Sequence, residues 1–199
     1  MLKIIAGEYR SRRLREPRAD EQSRPYLARM RESVFNLLRG WFEDANVLDL
    51  FAGVGTVGLE AVSRGAARVV MVEQNRQTHE HLVANIDTLG CGDRAEAVLG
   101  DALSEHILFR APRPVDLLFV DPPYPLMTDP ASRGRVLAQI ERCATILAEP
   151  SFVILRSPLG PDDVDLTIPG FAGPEPHDYG RDKWVLLYQP ISDAHDGAV

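Results

Sequence analysis

Short apolar segments that alternate with helical patterns constrain the fold of this 199-residue chain more than any other feature. Five runs have the apolar character of strands buried on both faces of a sheet: residues 46–51, 68–73, 95–99, 115–120 and 152–155. Between them, apolar residues follow helical spacing over about 57–64, 76–89 and 133–147. Because parallel strands need crossover connections of this kind, the sequence predicts a doubly wound, mostly parallel α/β sheet.

The two ends of the chain depart from this alternation. Residues 184–188 form a late apolar run after a stretch rich in Pro, Gly and Asp, which predicts a strand that pairs antiparallel at a sheet edge. Near the start, the pattern favours a short strand over 3–5, a loop or hairpin as far as Pro25, and a helix with apolar residues from Leu27 to Trp41. The small, polar tail after Pro190 is expected to be frayed.

Charge is divided unevenly along the chain. The whole chain carries −7, but residues 1–39 carry +5 and the remainder −12. A basic arm on an acidic body is typical of a local contact with a polyanion. The first stretch of this arm is loop-like and is expected to offer little apolar surface to a core. A solvated, arginine-rich tail is the alternative interpretation.

A glycine-rich turn lies between the first predicted strand of the alternation and its helix. Residues 53–58 match GxGxxG, which lets the backbone approach a nucleotide closely. Glu73 ends the next strand, twenty positions after Gly53, where a carboxylate can accept hydrogen bonds from ribose hydroxyls. Enzymes that use NAD and enzymes that use S-adenosylmethionine (SAM) both have such an acid, so the turn alone leaves the cofactor open.

Asp49 favours SAM over NAD. It lies four residues before Gly53 at the carboxyl end of its strand, so its carboxylate is expected to face the cofactor crevice. A pyrophosphate there would be repelled, whereas the protonated amine of the methionine part of SAM would gain a charge-assisted hydrogen bond. Asp101, at the next strand end, is placed for the adenine amine. The alternative is that these acids are loop caps or turn formers.

The segment Asp121-Pro122-Pro123-Tyr124 directly follows another predicted strand. Its two prolines lack backbone donors, so their carbonyls and the Asp121 carboxylate can only accept hydrogen bonds, while Tyr124 offers a flat face to a base. Such a site suits a planar substrate with an exocyclic NH₂ group, whose nitrogen would be held in line with the SAM methyl. A rigid structural turn is the alternative for this segment.

Other features exclude several classes of protein. No window approaches the ~18 consecutive apolar residues that a membrane helix needs, and the start of the chain is too short an apolar run for a signal-peptide core. Cys91 and Cys143 lack a CxxC pattern or a nearby histidine pair, so neither a disulfide framework nor a zinc site is indicated. We therefore expect a cytoplasmic protein that binds neither a membrane nor a metal.

Several segments together resemble the RsmD-like family of 16S rRNA guanine-N2 methyltransferases, a branch of the class I SAM-dependent enzymes. The likeness is carried by residues 3–7, 24–25, 31–38, 48–53, 58–66, 72–73, 116–124 and 179–180. DPPY is shared with adenine-N6 and other amino methyltransferases, so it does not identify the family by itself. The resemblance to guanine-N2 enzymes depends on residues 31–38 together with 58–66. The chain departs from the family where Tyr26 and Leu27 replace two threonines.

This resemblance implies a seven-stranded Rossmann-like sheet, SAM as cofactor, and methyl transfer to the N2 amine of a guanine in 16S rRNA of the assembling small subunit. It implies an RNA-docking extension and helix (1–39), a methyltransferase domain (40–190) and a disordered tail (191–199), in a monomer. The site residues predicted are Asp121, Pro122 and Tyr124 for catalysis; Asp49, Phe51, Gly53, Gly55, Glu73 and Asp101 for the cofactor; and Arg10, Arg12, Arg13, Arg15, Arg24 and Arg31 for RNA.

Three other functions stay open at this point. An adenine-N6 methyltransferase of DNA or RNA would use the same chemistry. An NAD-binding oxidoreductase fits the glycine turn and Glu73. A noncatalytic RNA-binding assembly factor would keep the fold and lack the reaction.

Overall fold

The computed structural model describes residues 2–15, 24–180 and 182–191, with the backbone alone for 24–28. These residues form a seven-stranded sheet with the order β3-β2-β1-β4-β5-β7-β6. The first five strands of this order are parallel, and β7 is antiparallel to both of its neighbours. The strands are β1 (Asn46–Leu50), β2 (Arg68–Glu73), β3 (Ala95–Leu99), β4 (Val115–Val120), β5 (Leu147–Ser157), β6 (Phe171–Asp178) and β7 (Trp184–Pro190).

The helices cross between the parallel strands or precede them. They are α1 (Arg24–Leu37), α2 (Gly58–Ser63), α3 (Arg76–Leu89), α4 (Tyr124–Thr128) and α5 (Pro130–Cys143). The Asn75 side chain caps α3 by accepting a hydrogen bond from Thr78 N, and Gly90 ends that helix with φ 70°. Asp129 caps α5 in the same way through Ser132 N. These caps explain why α3 begins and ends where its sequence pattern predicts.

The prediction of a doubly wound, mostly parallel sheet is confirmed. The late strand is antiparallel as predicted, but β6 lies outside it, so the antiparallel edge contains two strands. β6 has no strand pattern in the sequence, because Gly173, Pro174 and Pro176 are typical of turns. A proline is tolerated in a strand at a sheet edge, where its missing N–H breaks no ladder bond.

Two other predicted boundaries are wrong. The helix predicted over about 133–147 begins earlier and ends at Cys143, because a 3₁₀ turn over Ala144–Ile146 leads directly into β5. The first helix ends at Leu37, so Trp41 lies beyond it. In both cases, apolar residues beyond the helix end pack on the core from a turn. Their spacing in the sequence is still helical, although the backbone there is not.

Two apolar clusters cover the two faces of the sheet. On one face Phe35 of α1 stacks on Phe42 and on Phe119 of β4, with ring centroids 4.9 Å and 5.9 Å apart. The other face is buried beneath α5, with Val136 and Ile140 in the cluster. Burial of these side chains is the main favourable contribution to folding. The sheet is thereby held as a rigid layer whose strand ends position the site.

The start of the chain belongs to this core, so the expectation that it offers little apolar surface is wrong. Ile4 is 1% exposed and Leu14 is 4% exposed, and both pack in the cluster that contains Phe35. An antiparallel bridge between Lys3 and Arg13 closes a hairpin-like loop, as the sequence favoured. One buried apolar side chain from each arm of this loop helps to anchor it.

Polar contacts from α2 fix the same segment. The buried Glu60 carboxylate accepts hydrogen bonds from Ile5 N (2.7 Å) and Ala6 N (3.0 Å), and Glu8 N donates to Ser63 O (2.7 Å). Gly7 has φ +80°, and a Cβ there would lie 1.7 Å from Ser63 O, so the close approach requires glycine. The proposed boundary near residue 39 stays a prediction, and the predicted tail beyond residue 191 lies outside the described residues.

Candidate active site

Two cavities adjoin at the carboxyl ends of β1, β4 and β5. The glycine-turn cavity has a volume of about 310 Å³ and is bordered by Val72, Glu73, Gln74, Ala102 and Pro123. The α1-side cavity has a volume of about 330 Å³ and lies against Met30, Arg31 and Val34 of α1. Phe51, Gly53, Asp121 and Arg156 line both cavities. The two cavities therefore form one site with two compartments.

The turn after β1 shapes the glycine-turn cavity. Gly53 N donates a hydrogen bond to Glu73 Oε2 (3.1 Å), and Asn75 N donates to Glu73 Oε1 (2.6 Å), which holds the carboxylate beside the turn. Phe51 has φ 70°, a conformation that is strained for a bulky residue and is found at functional sites. The structure thus brings together three predicted cofactor residues, Phe51, Gly53 and Glu73.

The other three predicted cofactor residues line neither cavity. The Gly55 Cα faces the side chains of Leu82 and Leu59, where a Cβ would lie 2.5 Å from Leu82 Cδ1, so this glycine permits close packing. Asp101 is exposed and accepts a hydrogen bond from Leu103 N (2.9 Å), which is the turn-forming alternative. Its neighbour Ala102 borders the cavity instead.

Asp49 lies beneath the turn and is 1% exposed. Its Oδ2 accepts a hydrogen bond from Gly58 N (3.0 Å) at the start of α2. Burial raises the pKa of Asp49 to about 8; the Gly58 N–H acts to lower it, and the charges of Asp121 and Glu73 raise it. We expected this carboxylate to face the crevice, but the structure directs it to the helix start, where it accepts one of the unpaired N–H groups.

The DPPY segment closes the site from the end of β4. Pro122 is buried, Tyr124 begins α4, and Asp121 lines both compartments. Arg156 Nε forms an ion pair with Asp121 Oδ1, and the Arg156 guanidinium carbon lies 5.5 Å from the centroid of the Tyr124 ring. Burial raises the pKa of Asp121, against the lowering effect of the adjacent Arg156.

Arg156 is a site residue that sequence reasoning missed. The signal was present only as register: Val120 of β4 pairs with Leu155 of β5, so the residues that follow each of them are neighbours at the sheet edge. A lone arginine in an apolar strand carries no motif. The strand pairing had to be known before Arg156 could be assigned to the same place as Asp121.

Arg31 borders the α1-side cavity, whereas Arg10, Arg12, Arg13 and Arg15 line neither cavity. Its Nη2 donates to Lys3 O (2.9 Å), and its Nε is buried without a hydrogen-bond partner in the described part of the chain. Burial lowers the pKa of Arg31 from its ordinary value.

The hairpin arginines form an exposed group next to α3. Arg10, Arg12, Arg13 and Arg15 are all exposed, and Arg12 Nη2 donates to Thr88 O (2.8 Å). Asn85 of α3 accepts a hydrogen bond from Arg15 N (2.7 Å) and donates to Val54 O (3.0 Å), which connects the hairpin to the glycine turn. Arg24 begins α1, and its side chain lies outside the described residues.

The remaining predictions concern metal and membrane. Across 2–15, 24–180 and 182–191 there is no group of three or more His, Cys, Asp or Glu residues that could hold a metal ion. No described helix combines the length and apolar character that crossing a membrane requires. Cys91 and Cys143 are buried free thiols.

Comparison with known proteins identifies the family. The family model described as Conserved hypothetical protein 95 matches residues 2–158. The chain belongs to this family. A curated relative from Escherichia coli strain K12, named Ribosomal RNA small subunit methyltransferase D, is 40% identical over 123 residues, which are 62% of this chain and 60% of that protein. The relative of the same name from Haemophilus influenzae is 33% identical over 124 residues, 62% of this chain and 64% of that protein.

The matches to these curated relatives thus span less than two thirds of their length. A solved structure, that of the yhhF protein of Escherichia coli, superposes over 95% of this chain and 97% of its own with a TM-score of 0.79 and 29% identity. The family resemblance drawn from the motifs and the Rossmann-like fold are both confirmed.

Proposed function

We propose that this protein is a cytoplasmic SAM-dependent methyltransferase that modifies the exocyclic N2 amine of a guanine in 16S rRNA of the small ribosomal subunit. The observation that carries the proposal is the pair of adjoining compartments that share Asp121. The glycine turn borders both compartments; Glu73 borders only one of them, and Arg31 with apolar side chains of α1 borders only the other. The names of the curated relatives support rRNA as substrate, and the family resemblance supports guanine.

The donor and charge pattern of the glycine-turn cavity fits SAM. Glu73 offers carboxylate oxygens for the ribose hydroxyls, and Phe51 and Gly53 border the same space. Asp49 lines neither cavity, and burial raises its pKa to about 8, so it adds no negative charge to this cavity at neutral pH. SAM supplies a methyl group already activated on a positively charged sulfur. The methyltransferase names of the curated relatives favour SAM over NAD.

The DPPY segment would hold the amine that receives the methyl group. Asp121 and the Pro122 carbonyl would accept its two N–H donors, and the Tyr124 ring would stack on the purine. Held in this way, the nitrogen would form the new N–C bond with its lone pair, and the electron pair of the broken C–S bond would stay on sulfur. The nitrogen releases one proton, to Asp121 or to water. Acceptors held in place before the reaction lower its barrier.

The basic start of the chain would dock the RNA. The four exposed hairpin arginines would contact phosphates, and Arg24 and Arg31 would extend this contact along α1 towards the α1-side cavity. Arg31 supports this role because its side chain borders the compartment that the base would enter. The target nucleotide would leave its stack to reach Asp121.

Methyl transfer to small ribosomal subunits that lack this modification tests the proposal. Purified protein, radiolabelled SAM and such subunits should yield N2-methylguanosine in 16S rRNA, identified by nuclease digestion and mass spectrometry. N6-methyladenosine would favour the adenine methyltransferase. SAM binding by calorimetry without transfer to any nucleic acid would favour a noncatalytic assembly factor, and NAD binding without SAM binding would favour the oxidoreductase.

A further inference from the structure

Arg156 contacts both functional side chains of the DPPY segment. Its Nε donates to Asp121 Oδ1, and its guanidinium lies near the face of the Tyr124 ring. The sheet explains this position, because Asp121 follows Val120 and Arg156 follows Leu155, which are paired across β4 and β5. A residue fixed by strand pairing is held more firmly than one on a loop.

The charges around Asp121 make Arg156 its main counterion. Asp49 of β1 and Glu73 of β2 are the carboxylates nearby, and Asp121 and Glu73 both act on the charge of Asp49. Arg31 of α1 lines the α1-side cavity with Asp121, but its Nη2 donates to Lys3 O. Without Arg156, the effect of burial on Asp121 would have no opposing cation, and burial disfavours the ionised form.

The contact uses one oxygen of the carboxylate. Arg156 Nε engages Oδ1, and within the described ranges no other hydrogen bond to the Asp121 carboxylate is formed. An ionised carboxylate has about four acceptor sites on its two oxygens. Oδ2 is therefore left to accept a hydrogen bond from a ligand.

We propose that Arg156 is a positioning residue that keeps Asp121 ionised, engages its Oδ1 so that Oδ2 is presented to the acceptor amine, and fixes the Tyr124 ring relative to that carboxylate. The identity of the amine rests on the proposed function. The effect of Arg156 on Asp121 does not, because it is measurable in the protein without substrate.

Two substitutions separate charge from shape. Arg156→Gln removes the charge, whereas Arg156→Lys keeps a cation but loses the planar guanidinium that stacks on Tyr124. Arg110→Gln is the matched control, since it removes an exposed arginine that pairs with Glu96 away from the site. Thermal unfolding of each variant shows whether it is folded.

The first measurement is the titration of Asp121 in the protein alone, followed by ¹³C NMR of labelled aspartate carboxyl groups and assigned with Asp121→Asn. In Arg156→Gln the midpoint should move to higher pH, and in Arg156→Lys and Arg110→Gln it should stay near that of the parent protein. An unchanged midpoint in folded Arg156→Gln would overturn the role in charge. If Arg156→Gln does not fold, a midpoint in Arg156→Lys that equals the control supports the charge role, and any large shift there contradicts it.

The second measurement is methyl transfer across pH. The ionised Asp121 accepts a hydrogen bond from the amine, so loss of Arg156 should move the acidic limb of the pH profile of kcat to higher pH. At neutral pH, kcat should fall by ~10- to 100-fold, and KM for SAM should change little. In Arg156→Lys the acidic limb should stay at the pH of the parent protein, but kcat should fall because the Tyr124 ring loses its contact with the guanidinium. A fall in kcat with an unshifted limb in Arg156→Gln would leave a structural role only and would overturn the proposal. Absence of transfer by the parent protein would refute the proposed function, while the NMR titration would still decide the role of Arg156.

Discussion

The two compartments of the site are similar in volume but differ in how they are built. The turn after β1 borders both cavities. The glycine-turn cavity also contains the end of β2 with the Glu73 carboxylate, whereas the α1-side cavity also contains residues of α1, β7 and the start of the chain, with mainly apolar walls. In the proposed function the cofactor takes the side that has Glu73, and the base takes the side that α1 covers. The four predictions below test this division of roles.

Removal of the Asp121 carboxylate should have the largest effect. In Asp121→Ala, methyl transfer at saturating SAM should fall by at least ~100-fold, because the acceptor for the amine is lost at the step where charge develops. SAM affinity, measured by calorimetry, should stay within a few fold.

Asp93→Ala is the matched control, because Asp93 is exposed at the opposite end of the sheet, before β3. If Asp121→Ala abolished SAM binding and kept normal turnover at saturation, Asp121 would belong to the cofactor compartment and the comparison would be reversed.

Loss of Glu73 should act on the other compartment. Glu73→Ala should weaken SAM binding by ~1–3 kcal/mol, because the ribose hydroxyls lose their acceptor. Turnover at saturating SAM should change much less. Calorimetry measures the affinity.

Glu80→Ala, an exposed glutamate of α3, controls for loss of charge near the cavity. Unchanged SAM affinity in folded Glu73→Ala would remove the ribose assignment, and the hydrogen bonds to Gly53 N and Asn75 N would then be the whole role of this side chain.

The buried Asp49 should make the stability of the protein depend on pH. Its pKa is raised by burial to about 8, so the folded state holds a proton that the unfolded state releases above pH ~4. The stabilisation is complete below the unfolded pKa and is lost as pH rises through about 8. Asp49→Asn, which keeps the oxygen that accepts from Gly58 N, should therefore gain ~2 kcal/mol or more in unfolding free energy relative to the parent protein between pH 4 and pH 8.

Denaturant unfolding of the two proteins at pH 4, 6 and 8 without cofactor measures this difference. A constant gap between the two proteins across this range would mean that Asp49 is ionised in the folded state throughout, and the raised pKa would be refuted.

Replacement of the hairpin arginines should give the smallest effect per residue. If Arg10, Arg12, Arg13 and Arg15 all contact phosphates, their simultaneous change to Ala should lower the slope of log affinity against log salt by roughly three, from ~0.7 per contact. RNA binding should weaken and SAM affinity should stay the same.

The control carries the same loss of charge elsewhere, with Arg68, Arg110, Arg113 and Arg135 changed to Ala; these four are also exposed. Equal slopes for the two quadruple variants would show that net charge, and not the hairpin, determines RNA affinity. The anchoring of Ile4 and Leu14 in the core lets both variants keep the hairpin in place, which thermal unfolding verifies.

Local patterns in the sequence predict most of the fold and the residues that border the glycine-turn cavity on one side. Buried apolar strands alternating with helical spacing predicted the parallel sheet, and the glycine turn with Glu73 twenty residues on predicted the cavity beside it. These inferences succeed because a βα unit places its motif residues at one strand end through local geometry alone. β6 is not predicted by such patterns. Its prolines are compatible with a strand only at a sheet edge, and the position of the edge depends on the other strands.

Contacts between residues far apart in the sequence are known only from the folded structure. The pairing of β4 with β5 brings Arg156 to Asp121, the packing of Ile4 and Leu14 turns a basic loop into part of the core, and burial directs Asp49 to the start of α2. Each of these three arrangements depends on contacts between residues far apart in the chain, and the free energy of those contacts comes from the assembled core. A local sequence pattern therefore does not predict them. The sequence by itself specified the chemistry that the site can offer, and the folded sheet specified which of those groups act together.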